Sequence, residues 1–249
     1  MTYSYYYDSG GAGLSIDNSC GNFTVLAGSS ITSGTDKTTI SRGFVGVSPG
    51  TVISSNLILN RGAIKAKSAD SKACSSELLT LIQTGMDTTC ENNLADNDLS
   101  GMTLSAGTYC SETNDFTTSA SGSLTLDAKN VPSAVWIFQM SGDLTTGAST
   151  RVLLKNGALA SNVFWVVGGN AVLGMSSTMT GNVLSKKSIL LGSAATVNGR
   201  LLAHAQVSFT AKSNVVQPAD NFGRVVTGRR NLRSSPEIAD TPEDNLSQQ

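Results

Sequence analysis

The chain has 249 residues, a formal net charge of −1 and 14% charged residues, well below the roughly 25% of an average soluble domain. Its 39% of hydrophobic residues excludes a disordered chain, which combines low hydrophobicity with high net charge. The near-zero net charge gives no long-range attraction to nucleic acid, and no apolar run reaches the roughly 18 residues of a membrane span. These values leave an ordered protein that we expect to bind neither nucleic acid nor membrane.

The first 21 residues are polar and rich in Gly and Tyr, and we expect residues 1–21 to form a partly flexible N-terminal segment. The start has neither the basic nor the apolar region of a signal peptide, so we expect either that a leader has been removed or that the protein is not secreted by that route. The next residues, Asn22-Phe23-Thr24, match the N-glycosylation sequon, as does Asn245-Leu246-Ser247 near the other terminus. Such short matches are weak evidence for glycosylation.

One helix is predicted near residues 70–84, among segments that otherwise favour strands. Ser68 and Asp70 are residues that cap helix N-termini. An apolar face recurs at spacings of three and four residues and consists of Leu78, Leu79, Leu81 and Ile82. Gly85 is the expected end of the helix.

Four cysteines, Cys20, Cys74, Cys90 and Cys110, lack any C-x-x-C spacing, which weakens a zinc or redox interpretation. An even number of cysteines in a chain that is about a quarter Ser and Thr suits disulfides in an oxidising compartment. Three pairings are possible and the sequence does not choose between them. Nearness along the chain favours Cys74 with Cys90 and Cys20 with Cys110.

Most of the remaining chain consists of short alternating β segments separated by Gly, Ser and Asn. Aligning Gly181 with Gly199 superimposes two of these segments at an offset of 18 residues. The coinciding apolar pairs are Val183 with Leu201, Ile189 with Val207, and Leu191 with Phe209. The same alignment places Trp165 under Val183 and Leu173 under Leu191, and it places Thr51 and Ile53 at the positions of Ile189 and Leu191.

A coil of 18 residues with three short strands fits one turn of a triangular β-helix. Each turn would bury one row of alternate side chains and expose the other. Because like residues stack directly above one another in such a fold, a low content of charged residues is what this architecture requires. The predicted helix would then cover one face of the stack.

Several longer motifs resemble one protein family. The chain is similar to the core of the microbial ice-binding (antifreeze) proteins of the DUF3494 type in NVPSAVWIFQMSGDLTTGAS, NGALASNVFWVVGGNAVLG and TVNGRLLAHAQVSF, and to further family motifs in GFVGVSPGT and GMTLSAGTY. The resemblance covers roughly residues 22–217 in matching order. It implies a mainly β fold, a discontinuous right-handed parallel β-helix with one long α-helix packed alongside. It also implies adsorption to ice, with thermal hysteresis, ice shaping and recrystallisation inhibition.

The second strand of each coil is the predicted functional face. Alternation directs Leu144, Leu173, Leu191 and Phe209 inward, so that their neighbours form an outward row that is small, uncharged and partly apolar. The resemblance places the ice-binding face of the family on the same strands. The predicted ice-binding residues are Ser30, Thr32, Val52, Ser54, Thr145, Gly147, Val172, Gly174, Leu190, Gly192, Ser208 and Thr210.

The third strand of each coil is the alternative face. It includes residues 38–41, 178–180 and 196–198, which carry more hydroxyls, and we expect it to extend over fewer turns.

Catalytic groups are scarce. His204 is the single histidine, so a three-histidine zinc site is impossible. Residues 144–219 contain no Asp or Glu, which argues against a glycosidase carboxylate pair or a calcium site there. We therefore expect no enzyme activity, no metal and no cofactor. The alternative function is a polysaccharide-binding or adhesin β-helix module without catalysis.

The expected organisation has three parts. Residues 1–21 form the N-terminal segment, residues 22–219 the β-helix ice-binding domain, and residues 220–249 a flexible tail. The expected partner is an ice crystal surface, bound by a monomer. The expected location is extracellular.

Overall fold

The computed structural model describes residues 14–16 and 19–218. This part contains one α-helix, α1 (Ala69–Asp87), and one short 3-10 helix, Ala160–Asn162. The strands in chain order are β1 (Phe23–Ala27), β2 (Ser30–Ser33), β3 (Thr38–Ser41), β4 (Phe44–Val47), β5 (Val52–Ile53), β6 (Leu57–Asn60), β7 (Ile64–Ala66), β8 (Asn92–Leu94), β9 (Thr103–Ser105), β10 (Gly107–Ser111), β11 (Phe116–Thr118), β12 (Ser123–Asp127), β13 (Trp136–Met140), β14 (Leu144–Thr146), β15 (Arg151–Lys155), β16 (Val163–Val167), β17 (Ala171–Leu173), β18 (Thr178–Ser185), β19 (Ile189–Leu191), β20 (Thr196–Ala203), β21 (Gln206–Phe209) and β22 (Asn214–Val216).

Every pairing between these strands is parallel, and equivalent strands of successive coils stack into three faces. The helix-covered face runs in the order β8, β10, β13, β16, β18, β20, β1, β4, β7. The seven-strand face runs in the order β11, β14, β17, β19, β21, β2, β5. The third face runs in the order β9, β12, β15, β18, β20, β22, β3, β6, with β18 and β20 turning the corner between two faces. The predicted triangular parallel β-helix is confirmed.

The order of coils in space differs from their order in the chain. The first coil, β1 to β3, pairs on one side with the last coil through β20, β21 and β22, and on the other side with β4, β5 and β6. After β7, helix α1 runs along the helix-covered face to the opposite end of the stack, where β8 begins. We call these two ends the β7 end and the β8 end. The β-helix is therefore discontinuous, as predicted.

The repeat alignment predicts the register of the C-terminal coils correctly. Gly181 pairs with Gly199, Val183 with Leu201 and Ile189 with Val207. The inward side chains form one continuous buried column, in which the rings of Phe138 and Trp165 stack at 4.1 Å between centroids. This stacking of similar side chains buries apolar surface in a closely packed interior.

The N-terminal alignment is wrong by two residues. Ile53 pairs with Ile31, which pairs with Val207, so Ile53 lies in the row of Ile189 and not in that of Leu191. The corner at residues 48–52 is two residues longer than the corner at residues 28–30, because Ala27 pairs with Val47 while Ile31 pairs with Ile53. A shift of two keeps the same side chains inward, so the hydrophobic pattern alone does not detect it.

Helix α1 begins where the sequence predicts and extends further. The backbone N–H of Ser71 donates to the Ser68 hydroxyl at 3.1 Å, which caps the helix. Leu78, Leu81 and Ile82 are buried against the helix-covered face, whereas Leu79 is exposed, contrary to the prediction. Gly85 does not end the helix. It is buried inside it, where a Cβ would lie 2.7 Å from Cγ2 of Val166, so this glycine permits close packing.

The disulfide pairing suggested by nearness along the chain is wrong. The bonds join Cys20 to Cys74 and Cys90 to Cys110. Cys74 lies in the first half of α1, and a helix rises about 1.5 Å per residue, so roughly 20 Å of helix separates Cys74 from the segment that carries Cys90. Disulfide geometry does not span such a distance. The Cys20–Cys74 bond ties the N-terminal segment to the helix.

Several expectations fall on residues 1–13, 17–18 and 219–249, which lie outside the described residues. These include most of the expected N-terminal segment, the tail and the sequon at Asn245. Asn22 of the other sequon is described and exposed. No helix among the described residues is long and apolar enough to cross a membrane.

Candidate functional site

The seven-strand face carries one central row of outward side chains that are in register across all its strands. Ladder pairing aligns Thr117 with Thr145, Thr145 with Val172, Val172 with Leu190, Leu190 with Ser208, and Ser208 with Thr32. Ser54 follows the last pair of β5 and completes the row. Neighbouring strands of a sheet lie about 4.8 Å apart, so the row repeats at that spacing and contains no charged residue.

The central row is exposed in its middle and held in place by hydrogen bonds at one side. Val172 and Leu190 are 36% and 41% exposed, and Thr145 is exposed as well. The Thr32 hydroxyl donates to the Ser208 hydroxyl at 3.1 Å and accepts from Nε2 of Gln206 at 3.2 Å. Because these hydroxyls are fixed by neighbouring coils, they present donors and acceptors in constant directions.

A second row, which contains the predicted residues Val52 and Ser30, precedes the central row at the corner with the helix-covered face. At the other end of this second row, side-chain carboxylates accept hydrogen bonds from the backbone of the next coil. The backbone N–H of Asp143 donates to Oδ1 of Asp115 at 2.6 Å, and that of Asn170 donates to Oδ1 of Asp143 at 2.6 Å. Two carboxylates therefore lie at this edge of the face, and their hydrogen bonds to backbone keep the corner rigid.

The predicted glycines lie after the central row, where successive coils approach one another closely. A Cβ on Gly174 would lie 2.2 Å from the carbonyl oxygen of Gly147, and one on Gly192 would lie 2.7 Å from the backbone nitrogen of Met175. A side chain at Gly192 would therefore enter the stack, although the sequence predicts Gly192 as an outward residue of the face. Thr210, which lies in the same row, is exposed.

Two residues at the β8 end of the seven-strand face escape the sequence-based prediction. Thr117 is one, and the triplet Phe116-Thr117-Thr118, which pairs with Leu144-Thr145-Thr146, is the signal that could have found it. Asp98 is the other. It forms a single parallel bridge with Thr117 and so lies at the β8 end of the row, in a segment with no strand pattern to reveal it.

Asp98 is held in its ionised form. Its Oδ1 accepts from the backbone N–H of Ser100 at 2.9 Å and of Ser119 at 3.2 Å, and its Oδ2 accepts from the Ser119 hydroxyl. Partial burial raises the pKa of Asp98, but the hydrogen bonds from Ser100 and Ser119 together outweigh it and bring the pKa to about 2. A negative charge therefore marks the end of the otherwise uncharged row.

The third face differs from the seven-strand face in the charge of its outward side chains and is not shorter. It spans eight strands, so the expectation that it extends over fewer turns is wrong. Its outward positions include the exposed Arg151 and Lys155 and the half-buried Asp127. The backbone N–H of Lys129 and the Asn156 side chain donate to Asp127 and lower its pKa, which keeps that carboxylate charged.

The single histidine lies on the surface. His204 is exposed at the corner between the helix-covered and seven-strand faces. Within residues 14–16 and 19–218 there is no group of three or more His, Cys, Asp or Glu side chains that could hold a metal ion.

A sequence profile described as Ice-binding-like matches residues 25–216. The chain belongs to the ice-binding-like family. An "Ice-binding protein" of Nostoc sp. (strain HG1) is 31% identical over 211 residues, which cover 80% of this chain and 73% of that protein. One of Colwellia sp is 37% identical over 130 residues, covering 52% of this chain and 49% of that protein. The chain thus spans about half the length of the Colwellia relative.

Solved structures of this family share the fold. An ice binding protein from an Antarctic Biological Consortium matches with a TM-score of 0.77 and 33% identity, over 82% of this chain and 91% of that one. The ice-binding protein of the ascomycete Antarctomyces psychrotrophicus matches with a TM-score of 0.74 and 30% identity, over 81% and 98%.

Proposed function

We propose that this protein adsorbs to ice through the seven-strand face and catalyses no reaction. Membership of the ice-binding-like family supports the activity. The observation that carries the choice of face is the central row, in which seven uncharged residues stand in register on one parallel sheet. Adsorption would depress freezing, shape ice crystals and inhibit recrystallisation.

The mechanism follows from what an ice surface offers. Ice is an uncharged lattice of hydrogen-bond donors and acceptors at fixed spacing. Ordered first-shell water can bridge two surfaces nearly as well as direct hydrogen bonds. The regular hydroxyls and methyls of the central row hold water at repeated positions, and that water can join the lattice. Charged side chains would instead keep a strongly bound shell of their own.

The apolar residues in the middle of the face have a complementary role. Val172 and Leu190 pair directly across β17 and β19 and are both exposed. Exposed apolar residues aligned over neighbouring strands mark an interaction surface more often than scattered ones do. Their methyl groups favour a cage-like arrangement of water, while Thr145 and Ser208 on either side supply hydrogen bonds.

The oligomeric state, the location and the absence of nucleic-acid binding rest on separate observations. One chain holds all seven strands of the face, which supports adsorption as a monomer. Two disulfides support an extracellular location, since they persist in oxidising compartments. The net charge of −1 supports the absence of nucleic-acid binding. No observation on the described residues favours a polysaccharide-binding or adhesin module.

Microscopy of single ice crystals tests the proposal. Thr145→Tyr places a large ring in the central row, and Thr178→Tyr places the same ring at an exposed position of the third face. Both replace an exposed strand threonine, so their effects on stability should match. We expect faceted crystals and a freezing gap with wild type and with Thr178→Tyr, and loss of both with Thr145→Tyr. Round, unfaceted growth with wild type would end the proposal, and the reverse result for the two variants would move the site to the third face.

A further inference from the structure

Charge is segregated along the axis of the stack. Residues 44–68, which build the coil at the β7 end, contain three Lys or Arg and no acidic residue. Residues 91–105, which build the coil at the β8 end, contain three Asp or Glu and no Lys or Arg. The net charge of the whole chain hides this asymmetry, because the two groups cancel.

The β7 end is basic and has apolar side chains without a covering coil. Ile64 pairs with Val45 and so belongs to an inward row, yet it is 52% exposed because no strand among the described residues packs over it. Ile53 and Leu59 belong to the inward rows of the other two faces and are only partly buried. Arg61 and Lys67, on either side of β7, are exposed as well. Solenoid ends need a polar cap for solubility, and the described residues provide none here.

The β8 end is acidic and polar. Glu91, Asp96 and Asn92 are exposed there, and Asp98 is ionised. Among the residues that the structure describes, strand β8 pairs only with β10 and β9 pairs only with β12, so each keeps one unpaired backbone edge. Strands β5, β6 and β7 have equivalent free edges at the opposite end. Free strand edges are templates for pairing with another chain.

We propose that copies of this protein associate head to tail, with the β7 end of one copy against the β8 end of the next. In this arrangement all strands of each face keep the same direction, so the parallel ladders continue from copy to copy. It sets basic residues against acidic ones, whereas either like-end pairing would set equal charges together. The arrangement is heterologous, so it builds chains of copies rather than closed dimers.

The association is weak and depends on ionic strength. One side of the triangular end is about five residues at about 3.3 Å each, so the end is smaller than the roughly 800 Å² per partner of a stable interface. Charge attraction therefore decides whether copies meet. If the proposed adsorption to ice holds, association would also lengthen the seven-strand face, because Ser54 of one copy would adjoin the β8 end of the next.

Sedimentation velocity of the full chain in dilute and concentrated salt tests the association without reference to ice. The Debye length is about 30 Å at about 0.01 M salt and about 3 Å at about 1 M. We expect the sedimentation coefficient to rise with protein concentration in the dilute buffer and to stay at the monomer value in the concentrated one. A monomer at every concentration in dilute salt would overturn the proposal, even if the protein binds ice.

Charge reversal identifies the ends. Arg61→Glu with Lys67→Glu changes the net charge of residues 44–68 from +3 to −1, so that both ends are acidic, and Glu91→Lys with Asp96→Lys changes the net charge of residues 91–105 from −3 to +1, so that both ends are basic. Each double variant should remain monomeric alone, and an equal mixture of the two should associate again. The matched control is Lys186→Glu with Lys187→Glu, which changes the charge equally at exposed positions in the middle of the stack and should leave association unchanged.

Unfolding temperatures near that of wild type show that the variants remain folded. The proposal is wrong if the mixture fails to associate, or if the control variant loses association as the end variants do. It is also wrong if end reversals have no effect while removal of residues 219–249 starts self-association, because that segment and not a second copy would then cover the β7 end.

Discussion

The seven-strand face and the third face are built from the same coils, with the same strand spacing and the same alternation of inward and outward side chains. Their outward residues differ. The central row of the seven-strand face has no charge along seven strands, whereas the third face exposes Arg151 and Lys155. On the third face hydroxyls are also engaged internally, as when Thr180 donates to the carbonyl of Val152 at 3.0 Å. The fold thus supplies regularity to both faces, and the choice of outward side chains separates them.

Charge introduced into the central row should have the largest effect. We expect Val172→Lys with Leu190→Lys to lower ice-growth inhibition by at least about tenfold, since about 1.4 kcal/mol of adsorption free energy equals one decade in affinity. The two lysines would hold their own hydration shell in the middle of the face. Thermal hysteresis at equal protein concentration measures the loss.

The control for these two substitutions is Thr178→Lys with Thr196→Lys on the third face. It adds the same charge to a row that already contains Arg151, which pairs with Thr178. It should retain nearly all activity. Equal losses in both pairs would mean that net charge, and not the face, determines adsorption.

Removing a disulfide should lower stability and leave the difference between the faces intact, because neither bond touches the seven-strand face. From the chain-entropy relation, Cys20→Ala with Cys74→Ala should cost about 4 kcal/mol and Cys90→Ala with Cys110→Ala about 3 kcal/mol, given sequence separations of 54 and 20. Urea unfolding measures both. If either double Cys→Ala variant lost ice shaping while it stayed folded, the helix-covered face would have to take part in adsorption.

Substitutions in the row of glycines beside the central row test where the ice-binding face ends. Gly192→Tyr should destabilise the protein by about 1–3 kcal/mol, as overpacking does, because its Cβ would meet the backbone of Met175. Thr210→Tyr, in the same row but exposed, should change stability by less than about 0.5 kcal/mol while lowering activity. Thermal unfolding together with thermal hysteresis distinguishes the two. A stable but inactive Gly192→Tyr would show that this glycine faces the ice directly.

The smallest effect concerns the charged end of the row. The pKa of Asp98 is about 2 in the folded protein, below its ordinary value of 3.8, so its stabilising contribution is present above pH 3.8 and is lost as the pH falls through about 2. Asp98→Asn should therefore make stability slightly less dependent on pH between these values. Solvent screening keeps the change small. Unfolding temperatures at pH 2 to 5 measure it, and identical curves for the variant and wild type would contradict the assignment.

Much of this fold follows from the sequence, because stacked coils repeat like residues at a constant offset. The alignment of Gly181 with Gly199, continued to Trp165 under Val183, fixes the register of three successive coils and their inward column. It fails at Ile53, where a longer corner moves the strand by two residues without changing which side chains face inward. Thr117 lies 28 residues before Thr145, so the 18-residue offset does not reach it, and only the likeness of Phe116-Thr117-Thr118 to Leu144-Thr145-Thr146 points to it.

Contacts made across the stack were beyond sequence reasoning. The partner of Cys20 depends on where α1 lies along the helix-covered face, and nothing local in the sequence states that. The same holds for Gly85, which resembles a helix end but allows α1 to approach Val166. Asp98 joins the functional row through one isolated bridge, which has no periodicity of its own.

The position of the first coil between the last coil and the second has a consequence for folding. An ordinary solenoid can grow from either end, each repeat adding to its neighbour. Here β1, β2 and β3 lack one neighbour on every face until residues 196–216 have been synthesised. Contacts of such long sequence separation slow folding, so the stack closes only when nearly the whole chain is available. Additional coils could therefore be inserted between β7 and α1 or within residues 88–195, whereas a coil added before β1 or after β22 would meet a coil that is already paired on both sides.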